Sequence, residues 1–375
     1  MKTYNIGLLG TGFMGKMHTY CYSSLPFYFE KADFKINFKG VYSRTLKNAE
    51  SFKELHSFEY ATDNWEDIIN DPEIDIVDIC TPNMMHYHQI MAAIKAGKHV
   101  YCEKPLTAHL AQAVEAAQAS AESDKKYGTV FHNRFFPAAL RAKELIDEGA
   151  LGNILSFRVA YLHSGSVDPT KPVGWKQQSE GAGVLYDLGS HALDLLCHLA
   201  GKVQSITCKT QTLYPYRPDK EGNMIKMTAD DAAYMILTLQ NGAVGTCEVS
   251  KVATGANDEF TVEIHGDKGA VKLNLMSPEW LDFYDNTLPD LALGGNKGYT
   301  RIECVGRYPA PASSFPGPKF SVGWARAHVQ SVFSFVNSVH ENKTPSPSFD
   351  DGAYIQNLIE KAYESAENGT VIALS

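Results

Sequence analysis

The first third of the chain alternates short apolar runs with stretches of helical periodicity, and this alternation constrains the fold more than any other feature. It is typical of parallel strands joined by helices, because each connection must travel back along the sheet before the next strand begins. The sequence therefore predicts a doubly wound parallel sheet with helices on both faces. The expected strands lie at residues 4–10, 36–43, 74–80, 99–102 and 128–131, and the expected helices at residues 14–24, 46–55, 88–96 and 108–123. In the last helix, Leu110, Val114 and Ala117 have the spacing of a buried stripe.

From about residue 153 the pattern changes to β-rich stretches that follow one another directly. The turn pairs Asn241-Gly242 and Lys268-Gly269 separate several of them, which indicates hairpins and an antiparallel sheet. The expected strands are 154–162, 203–213, 232–239, 243–249, 260–265 and 270–275, with helices at 187–199, 322–340 and 352–367 and a long loop at 288–318. We therefore predict an α/β chain of two domains, residues 1–130 and 131–375, the second of them α+β. The helix at 352–367 is a candidate for packing back on the first domain.

Length, charge and hydrophobicity indicate which classes of protein this chain can belong to. A chain of 375 residues exceeds the roughly 250–300 residues at which single cores stop growing, which agrees with two domains. Its 34 Lys and Arg against 43 Asp and Glu give a net charge of −9, which argues against a nucleic-acid binder. No apolar run approaches the roughly 18 residues of a membrane span, and no signal peptide precedes the first strand, so we expect a cytoplasmic protein that binds no membrane. The seven cysteines are scattered without a CxxC pair and are expected to be reduced.

A glycine-rich turn ends the first predicted strand. Gly10-Thr11-Gly12-Phe13-Met14-Gly15 follows the GxGxxG pattern between a strand and a helix. In that setting the first glycine permits a tight turn, the second lets a pyrophosphate approach the backbone, and the third lets helix and strand pack closely. Free amides at the start of the helix then bind the phosphates. The position indicates a dinucleotide-binding loop rather than a merely glycine-rich turn.

The end of the second predicted strand leaves the choice of dinucleotide open. Domains that prefer NAD usually place Asp or Glu here, where the carboxylate accepts hydrogen bonds from the ribose 2′-hydroxyl. Here the sequence is Val41-Tyr42-Ser43-Arg44-Thr45, without an acid. Ser43 and Arg44 could hold the 2′-phosphate of NADP. Alternatively, Ser43 bonds an ordinary ribose and Arg44 lies over the adenine.

Two polar turns follow later strands of the first domain. Thr81-Pro82-Asn83 follows strand 74–80, and Glu103-Lys104-Pro105 follows strand 99–102. Both lie at the carboxyl ends of parallel strands, where open α/β sheets bind their ligands. Lys104 is therefore a candidate catalytic group, since an ammonium near a reacting hydroxyl stabilises a developing alkoxide. The following proline fixes the turn and is a candidate for a cis peptide bond.

A third constellation, Asp187-Leu188-Gly189-Ser190-His191-Ala192-Leu193-Asp194, lies in the second domain. Asp187 and His191 are four residues apart, so on a helix they share one face. We rank a catalytic pair first, because histidine is the usual general base and a neighbouring acid orients it. The second interpretation is a capped helix in which Asp187 bonds free amides. A metal site built from Asp187, His191, Asp194 and His198 ranks third, because no outside ligand cluster completes it.

The segments GTGFMG, TPN followed by His86, YCEKP and GAGVLYDLGSHALDLL together resemble the Gfo/Idh/MocA family of sugar and inositol oxidoreductases, over nearly the whole chain. The resemblance implies a Rossmann domain joined to an α/β domain whose large open sheet commonly forms subunit contacts. We therefore expect a homodimer or homotetramer. The resemblance further implies that Lys104 is the catalytic lysine, Asp187 the substrate-binding aspartate and His191 the acid/base histidine.

The resemblance also assigns residues to the cofactor and the substrate. The implied cofactor is NAD, with NADP kept open by the missing acid and with tight binding between turnovers as one alternative. The cofactor-binding residues are Gly10, Gly12, Phe13, Met14, Gly15, Ser43, Arg44, Thr81, Asn83, His86, Glu103 and Lys104. The substrate-binding residues are Asn133, Arg134, Tyr161, His163, Trp175, Lys176, Asp187 and His191. A solvated or packing role is favoured for His88, and no metal is implied.

Within the family, the segments GFMGKMHTYCYSSLPFYF and ILSFRVAYLHSGSVDPTKPVGWK are most similar to levoglucosan dehydrogenases and related glycoside 3-dehydrogenases. This similarity implies hydride transfer between a nicotinamide cofactor and a secondary hydroxyl, at C3, of a sugar or glycoside. An inositol or other polyol dehydrogenase is the alternative within the family. A non-catalytic NAD(P)-binding sensor is a second class of function, disfavoured by the presence of Lys104, Asp187 and His191.

Overall fold

The computed structural model describes residues 1–174, 181–305, 307–312, 315–317, 319–321 and 323–374. The chain divides into two compact units. The first unit contains residues 1–132 and the described parts of 308–320 and 324–356. The second contains the described parts of residues 133–307, 321–323 and 357–374. Each unit has its own large sheet.

Among the described residues, the sheet of the first unit has six strands: β1 (Lys2–Leu9), β2 (Phe34–Tyr42), β3 (Tyr60–Thr62), β4 (Ile76–Ile79), β5 (His99–Cys102) and β6 (Tyr127–Thr129). All pairs are parallel, in the order β3-β2-β1-β4-β5-β6, which is the order of a Rossmann domain. The strand order reverses between β1 and β4. The carboxyl ends of these two strands therefore border the crevice in which such sheets bind ligands.

Helices cover both faces of this sheet: α1 (Phe13–Tyr28), α2 (Leu46–His56), α3 (Trp65–Asn70), α4 (Asn83–Lys95), α5 (Leu110–Ala121) and α8 (Gly323–His340). Adjacent strand residues point to opposite faces, and β4 shows this clearly. Ile76 packs in one apolar cluster with residues of α1 and α8, whereas Val77 and Ile79 pack in another with residues of α3, α4 and α5. All four residues of β4, Asp78 included, are buried, which reflects burial on both faces of the sheet.

Two features of the first unit differ from the sequence prediction. The predicted buried stripe of α5 is correct at Ala117 and wrong at Val114, which is 41% exposed; the buried face consists of Ala113, Ala116 and Ala117. Small side chains let this helix lie close to the sheet. The strand β3 and the helix α3 were not predicted, since three and six residues are too short to show a period.

The second unit is built on a mixed sheet. Its described strands are β7 (Ile154–Leu162), β8 (Val203–Gln211), β9 (Tyr216–Pro218), β10 (Met224–Lys226), β11 (Ala232–Leu239), β12 (Val244–Ser250), β13 (Glu259–Gly266), β14 (Gly269–Asn274), β15 (Trp280–Asp285), β16 (Tyr299–Glu303) and β17 (Ile372–Ala373). Nine of these described strands form one sheet, in the order β16-β15-β14-β13-β7-β12-β11-β8-β17. Only the β7–β12 pair is parallel within it. This confirms the predicted α/β fold class with a large, mainly antiparallel second sheet.

One face of the large sheet packs against helices and the other is open. The helices of this unit are α6 (Pro137–Asp147), α7 (Ser190–Ala200) and part of α9 (Phe349–Asn368). α7 lies against β7, β12 and β13, and α6 lies against β14 and β15. On the opposite face, the paired residues Ile236, Thr246 and Arg158 are exposed. The alternation of buried and exposed residues along each strand produces these two faces.

The region predicted as a long loop, 288–318, contains the edge strand β16. Its residues are mostly exposed, so they lack the apolar alternation that identifies a half-buried strand. The strand β15 and the helix α6 were also not predicted. All seven cysteines lie in the described part of the chain, and none forms a disulfide. Within that same part, no helix has both the length and the apolar character needed to span a membrane.

Candidate active site

The glycine loop between β1 and α1 has the geometry of a dinucleotide site. Gly10 has a φ of +108°, and a Cβ built on it would lie 2.7 Å from the carbonyl oxygen of Cys80. A Cβ on Gly15 would lie 2.0 Å from the carbonyl oxygen of Gly10, so this glycine allows α1 to start close to the turn. A Cβ on Gly12, at the N-terminus of α1, would meet no atom within 4 Å. The open space at Gly12, next to free helix amides, fits the approach of a pyrophosphate.

The carboxyl end of β2 adjoins this loop. Ser43 is buried, and its hydroxyl accepts a hydrogen bond of 3.0 Å from Thr11 Oγ1. Its backbone amide donates to the carbonyl of Thr62 on β3. Arg44 is exposed, as Phe13 is in the loop, whereas Met14 is only partly so. Ser43 is therefore tied to the glycine loop, and Arg44 is the side chain that remains accessible at this end of the site.

The turn after β4 is joined to the turn after β5 by a buried histidine. Nε2 of His86 lies 2.8 Å from the carbonyl oxygen of Thr81, and Nδ1 lies 3.0 Å from that of Pro105. Burial lowers the pKa of His86, and the hydrogen bonds to the two carbonyl oxygens oppose this fall. Asn83, the first residue of α4, is buried beside it. His86, expected to contact the cofactor, thus supports the backbone of both turns.

The turn after β5 carries the predicted catalytic lysine. The peptide bond between Lys104 and Pro105 is cis, as expected. The Lys104 amide donates to Oε2 of Glu103 at 3.2 Å, and the other carboxylate oxygen of Glu103 lies 3.1 Å from Nε2 of His18. Glu103 is buried, whereas Lys104 is partly exposed. The glutamate therefore faces the interior of the unit and holds the backbone of the lysine.

An aromatic cluster that was not predicted adjoins the glycine loop. The ring of Phe13, 72% exposed, lies 5.8 Å from that of Trp324. Trp324 packs edge-on against His328 at 4.2 Å, and His328 stacks on His132 at 3.6 Å. Burial and, to a smaller extent, the charge of His132 lower the pKa of His328, which is neutral. The i, i+4 spacing of Trp324 and His328 at the start of α8 was the available sequence signal.

In the second unit, the predicted acid and histidine lie one turn apart. Residues Leu185–Gly189 form a π-helical turn, and α7 continues directly from Ser190. Such widened turns occur frequently at functional sites. Asp187 lies in the π turn, and its Oδ2 is 2.9 Å from Nζ of Lys251, which follows β12. His191, in the first turn of α7, is buried, and its ring lies 6.3 Å from that of Tyr161.

A buried carboxylate anchors the backbone that leads into the π turn. The Oδ2 of Asp230 accepts a hydrogen bond from the amide of Leu185, and its Oδ1 accepts one of 2.6 Å from the hydroxyl of Tyr363 on α9. A Cβ on Gly183 would lie 2.0 Å from that Oδ1, and Gly183 has a φ of +112°. Burial raises the pKa of Asp230, and these hydrogen bonds oppose the rise. The glycine thus allows the chain to pass over the carboxylate and to place Asp187.

Two further predicted residues share one acid. The hydroxyl of Tyr161 donates to Oδ1 of Asp258 at 2.8 Å, and Nε2 of His163 lies 2.6 Å from the same oxygen. The hydrogen bond from His163, and that from Tyr161, lower the pKa of Asp258. Burial and then the charge of Asp258 raise the pKa of Tyr161, which is therefore a neutral hydrogen-bonding group at pH 7. Asp258 fixes both rings on the helix-covered side of β7.

The start of the second unit contributes two buried polar residues. Nε of Arg134 donates to Oδ2 of Asp194 at 2.8 Å, and Nη2 pairs with Oδ1, so the carboxylate is held in a bidentate ion pair. This pair uses one of the four residues of the metal alternative. The Nδ2 of Asn133 is buried and has no hydrogen-bond partner among the described residues. Such a group is costly unless a ligand or water satisfies it, which fits the predicted contact of Asn133 with a substrate.

The structure groups the predicted residues into two sets, one in each unit, and adds residues that were not predicted. Trp175 and Lys176 lie outside the described residues. Lys251 and Asp258 were missed because each meets its partner only through pairing in the sheet. The signal available for Lys251 was weak, a single cation directly after a strand with alternating apolar residues.

Two family models match the chain. The one described as oxidoreductase family, NAD-binding Rossmann fold, matches residues 4–131. The one described as oxidoreductase family, C-terminal alpha/beta domain, matches residues 143–374.

Relatives and solved structures agree with this match. Levoglucosan dehydrogenase from Pseudarthrobacter phenanthrenivorans is 31% identical over 382 residues, which cover 98% of this chain and 97% of that protein. Glucose-6-phosphate 3-dehydrogenase from Bacillus subtilis is 25% identical over 380 residues, which cover 99% and 98%. A structure of levoglucosan dehydrogenase in complex with NADH matches with a TM-score of 0.93 and 30% identity, over 100% of both chains. The similarity to levoglucosan dehydrogenase predicted from the sequence is confirmed. The chain belongs to the Gfo/Idh/MocA family of oxidoreductases.

Proposed function

We propose that this protein is an NAD-dependent dehydrogenase that oxidises a secondary hydroxyl of a sugar or glycoside, at C3, with Lys104, Asp187 and His191 as its catalytic set. One observation carries the proposal: His191 is buried in the first turn of α7, one turn after an aspartate that Lys251 holds in place. A protein that only bound the dinucleotide would have no use for this arrangement. The family and the full-length similarity to levoglucosan dehydrogenase support the substrate class.

The residues of the first unit fit a bound dinucleotide. The loop at Gly10, Gly12 and Gly15 leaves room for phosphates at the start of α1, and the carboxyl ends of β4 and β5 present polar turns at the same edge of the sheet. When bound, the nicotinamide supplies the acceptor for a hydride from the carbinol carbon. The chain must then provide the groups that bind, orient and deprotonate the hydroxyl.

Each member of the catalytic set has a separate role. His191 removes the hydroxyl proton as the hydride leaves the carbon, which is general base catalysis. Lys104 donates a hydrogen bond to the same oxygen and stabilises its developing negative charge. Asp187 accepts a hydrogen bond from a neighbouring hydroxyl and thereby selects a ring with adjacent hydroxyl groups.

The choice of NAD over NADP rests on Ser43 and Arg44. Ser43 is buried, and the hydrogen bond that its hydroxyl accepts from Thr11 ties it to the glycine loop, so it is poorly exposed to a 2′-phosphate. Arg44 is exposed, and in this proposal its side chain lies over the adenine. Levoglucosan dehydrogenase has been solved with NADH. A related scyllo-inositol 2-dehydrogenase from Bacillus subtilis, 30% identical over 282 residues, is described as NADP-dependent, so both dinucleotides belong in the test.

Activity measurements test the proposal directly. The purified protein is incubated with NAD or NADP and with levoglucosan, glucosides, free sugars or inositols, and reduction is followed by nicotinamide absorbance. We expect turnover of a pyranose or glycoside with NAD, and a 3-keto product by NMR. We expect His191→Ala and Lys104→Ala each to lower kcat roughly 10²–10⁴-fold while NADH still binds. The exposed His88 and Lys95 provide matched controls, because His88→Ala and Lys95→Ala should leave kcat unchanged.

The same experiment separates the alternatives. Turnover confined to inositols supports the polyol dehydrogenase instead. A protein that binds NADH but oxidises no polyol, even at high enzyme concentration, is a sensor and overturns the proposal. A nicotinamide absorbance that copurifies with the protein and disappears when a keto sugar is added indicates a cofactor that stays bound between turnovers.

We also propose that the open face of the large sheet forms a homodimer or homotetramer. Exposed apolar residues on this face, among them Tyr234, Ile236 and Val244, support a protein contact. Light scattering of the parent and of Ile236→Asp tests the assembly. A monomeric parent would refute it.

A further inference from the structure

A buried charged cluster lies beside the turn that carries Lys104. His18 on α1 and Asp78 on β4 are both 0% exposed, which is unusual for ionisable side chains. Nδ1 of His18 lies 2.8 Å from Oδ1 and 3.0 Å from Oδ2 of Asp78, and Nε2 lies 3.1 Å from Oε1 of Glu103. The thiol of Cys80 lies 3.3 Å from the same Nδ1. The roles proposed above for the catalytic set leave His18 and Asp78 without a function.

With both carboxylates ionised, this geometry requires a protonated histidine. A neutral imidazole has one N–H and can donate to only one of the two carboxylates, whereas an imidazolium donates to both. Burial opposes the charged form, but the charge of Asp78 and the hydrogen bonds to it outweigh this cost and raise the pKa of His18 well above its usual value. His18 is therefore an imidazolium at neutral pH, held between Asp78 and Glu103.

The cluster ends at the backbone of the predicted catalytic lysine. One oxygen of Glu103 accepts from His18, and the other accepts from the amide of Lys104 at 3.2 Å. The parallel pairing of β4 with β5 places Asp78 opposite Tyr101, two residues before Glu103. The ring of Tyr101 covers His18 at 5.4 Å. A continuous chain of contacts thus runs from Asp78 through His18 and Glu103 to Lys104.

We propose that His18 is a positioning residue: held by Asp78, it orients the Glu103 carboxylate, which fixes the backbone of Lys104 and so aims the lysine at the substrate oxygen. This inference rests on the catalytic role proposed for Lys104. The same atoms of His18, Asp78 and Cys80 lie within 4.8 Å of one another, a spacing that a metal ion could also use. The hydrogen-bond distances to both carboxylates favour the proton over the metal.

Changing the charge of His18 or Glu103 is expected to change the protonation of Lys104. With a neutral residue in place of His18, two carboxylates remain without their counter-charge, and the more negative surroundings favour the protonated form of Lys104. Removing the Glu103 charge has the opposite effect. The ionisable groups around the His18–Asp78 pair are Cys21 and Tyr22 from α1, Cys80 from the end of β4, Tyr101, Cys102 and Glu103 from β5 and its turn, and His328 from α8.

The proposal is tested with His18→Gln, Glu103→Gln and the double variant in the full-length protein. We expect His18→Gln to lower kcat roughly 10–100-fold, because displacing a catalytic group by about 1 Å costs roughly 10²-fold. The Kd for NADH should change by less than about fivefold, which is roughly 1 kcal/mol. The alkaline limb of the kcat–pH profile should move up by at least roughly 0.5 unit in His18→Gln and down in Glu103→Gln. The double variant should be no slower than the slower single variant, because both act through one path.

A matched control and an activity-independent readout complete the test. His99→Gln replaces another histidine of the same unit, at the start of β5, and should leave kcat and its pH profile unchanged. The ¹⁵N NMR spectrum of the parent protein at pH 8 should show one histidine with both nitrogens protonated, and this signal should vanish in His18→Gln.

Three results would overturn the inference. A neutral His18 in the NMR spectrum would overturn it independently of the proposed function, even if the protein oxidises no sugar. A lowered melting temperature of His18→Gln with unchanged kcat and pH profile would show a purely structural role. A stoichiometric metal ion that is lost in His18→Gln would show a metal site instead.

Discussion

Gly12 and Gly15 lie three residues apart in one loop, and the structure predicts opposite outcomes for their replacement by alanine. The Cβ of Gly15→Ala would lie 2.0 Å from the carbonyl oxygen of Gly10, a backbone atom that cannot rotate away. The Cβ of Gly12→Ala would meet nothing within 4 Å. Gly12 also has a φ of −74° and a ψ of −162°, which alanine adopts without strain. Gly15→Ala should therefore damage the fold, and Gly12→Ala only the approach of a ligand.

The sizes of the two effects follow from these contacts. Atoms in good contact are about 3.5–4.0 Å apart, so the start of α1 must move by more than 1 Å to accept Gly15→Ala. Overpacking of this kind costs roughly 1–3 kcal/mol, and the better helix propensity of alanine returns up to about 1 kcal/mol. At roughly 2–4 °C per kcal/mol, the melting temperature should fall by several degrees. Gly12→Ala should melt within about 1 °C of the parent but raise the Kd for NADH at least tenfold, which is about 1.4 kcal/mol.

Thermal unfolding by circular dichroism and NADH titration by fluorescence measure both quantities on the same samples. Gly97→Ala, at the exposed end of α4, provides a control for a glycine with positive φ that lies outside the loop. It should lose some stability and keep the Kd of the parent. If Gly12→Ala binds NADH as tightly as the parent, the phosphates do not pass over this residue and the assignment of the loop is refuted.

Three further predictions concern other parts of the molecule. Lys251→Met removes the partner of Asp187 and should lower kcat/KM for the sugar roughly tenfold, or about 1.4 kcal/mol, with Lys251→Arg recovering part of it in steady-state kinetics. Tyr363→Phe removes the hydrogen bond from this hydroxyl to Oδ1 of the buried Asp230 and should lower the free energy of unfolding in urea by roughly 1–3 kcal/mol. Burial and nearby lysines lower the pKa of His99 to about 4, so the folded protein binds this proton less readily than the unfolded chain. Stability should therefore fall as pH decreases from about 6.5 towards 4, by at most about 3 kcal/mol, and His99→Gln should flatten this slope in urea titrations at pH 7 and 5.

Much of the first unit was predictable because its signals are local. Each central strand is a short apolar run, and the polar turns at residues 81–83 and 103–105 interrupt the chain where the strands end. Lys104 was identified as a candidate catalytic residue from its position directly after such a strand. The errors of the sequence prediction also arose from local sequence patterns. The strand β16 is exposed at a sheet edge, and α5 buries alanines where larger residues were expected.

In the candidate site too, local spacing was predictable from the sequence and long-range contacts were not. Asp187 and His191 were identified from their spacing on one helix, because residues four apart meet on one face whatever the rest of the chain does. The partner of Asp187 could not be identified in this way. Lys251 lies 64 residues further along the chain, and it meets Asp187 only because β12 carries it there.

The sequence by itself determined most of the buried strands and the longer helices, the glycine loop and the identities of the candidate acid, base and lysine, because these depend on backbone conformation and on neighbours within one turn. Tertiary structure alone decided which charges meet. Asp78 and Glu103 meet the two ring nitrogens of His18 because two adjacent parallel strands bring both carboxylates to it. A single sequence contains no record of such pairings, since the distance between residues along the chain sets no limit on their distance once the sheet has formed.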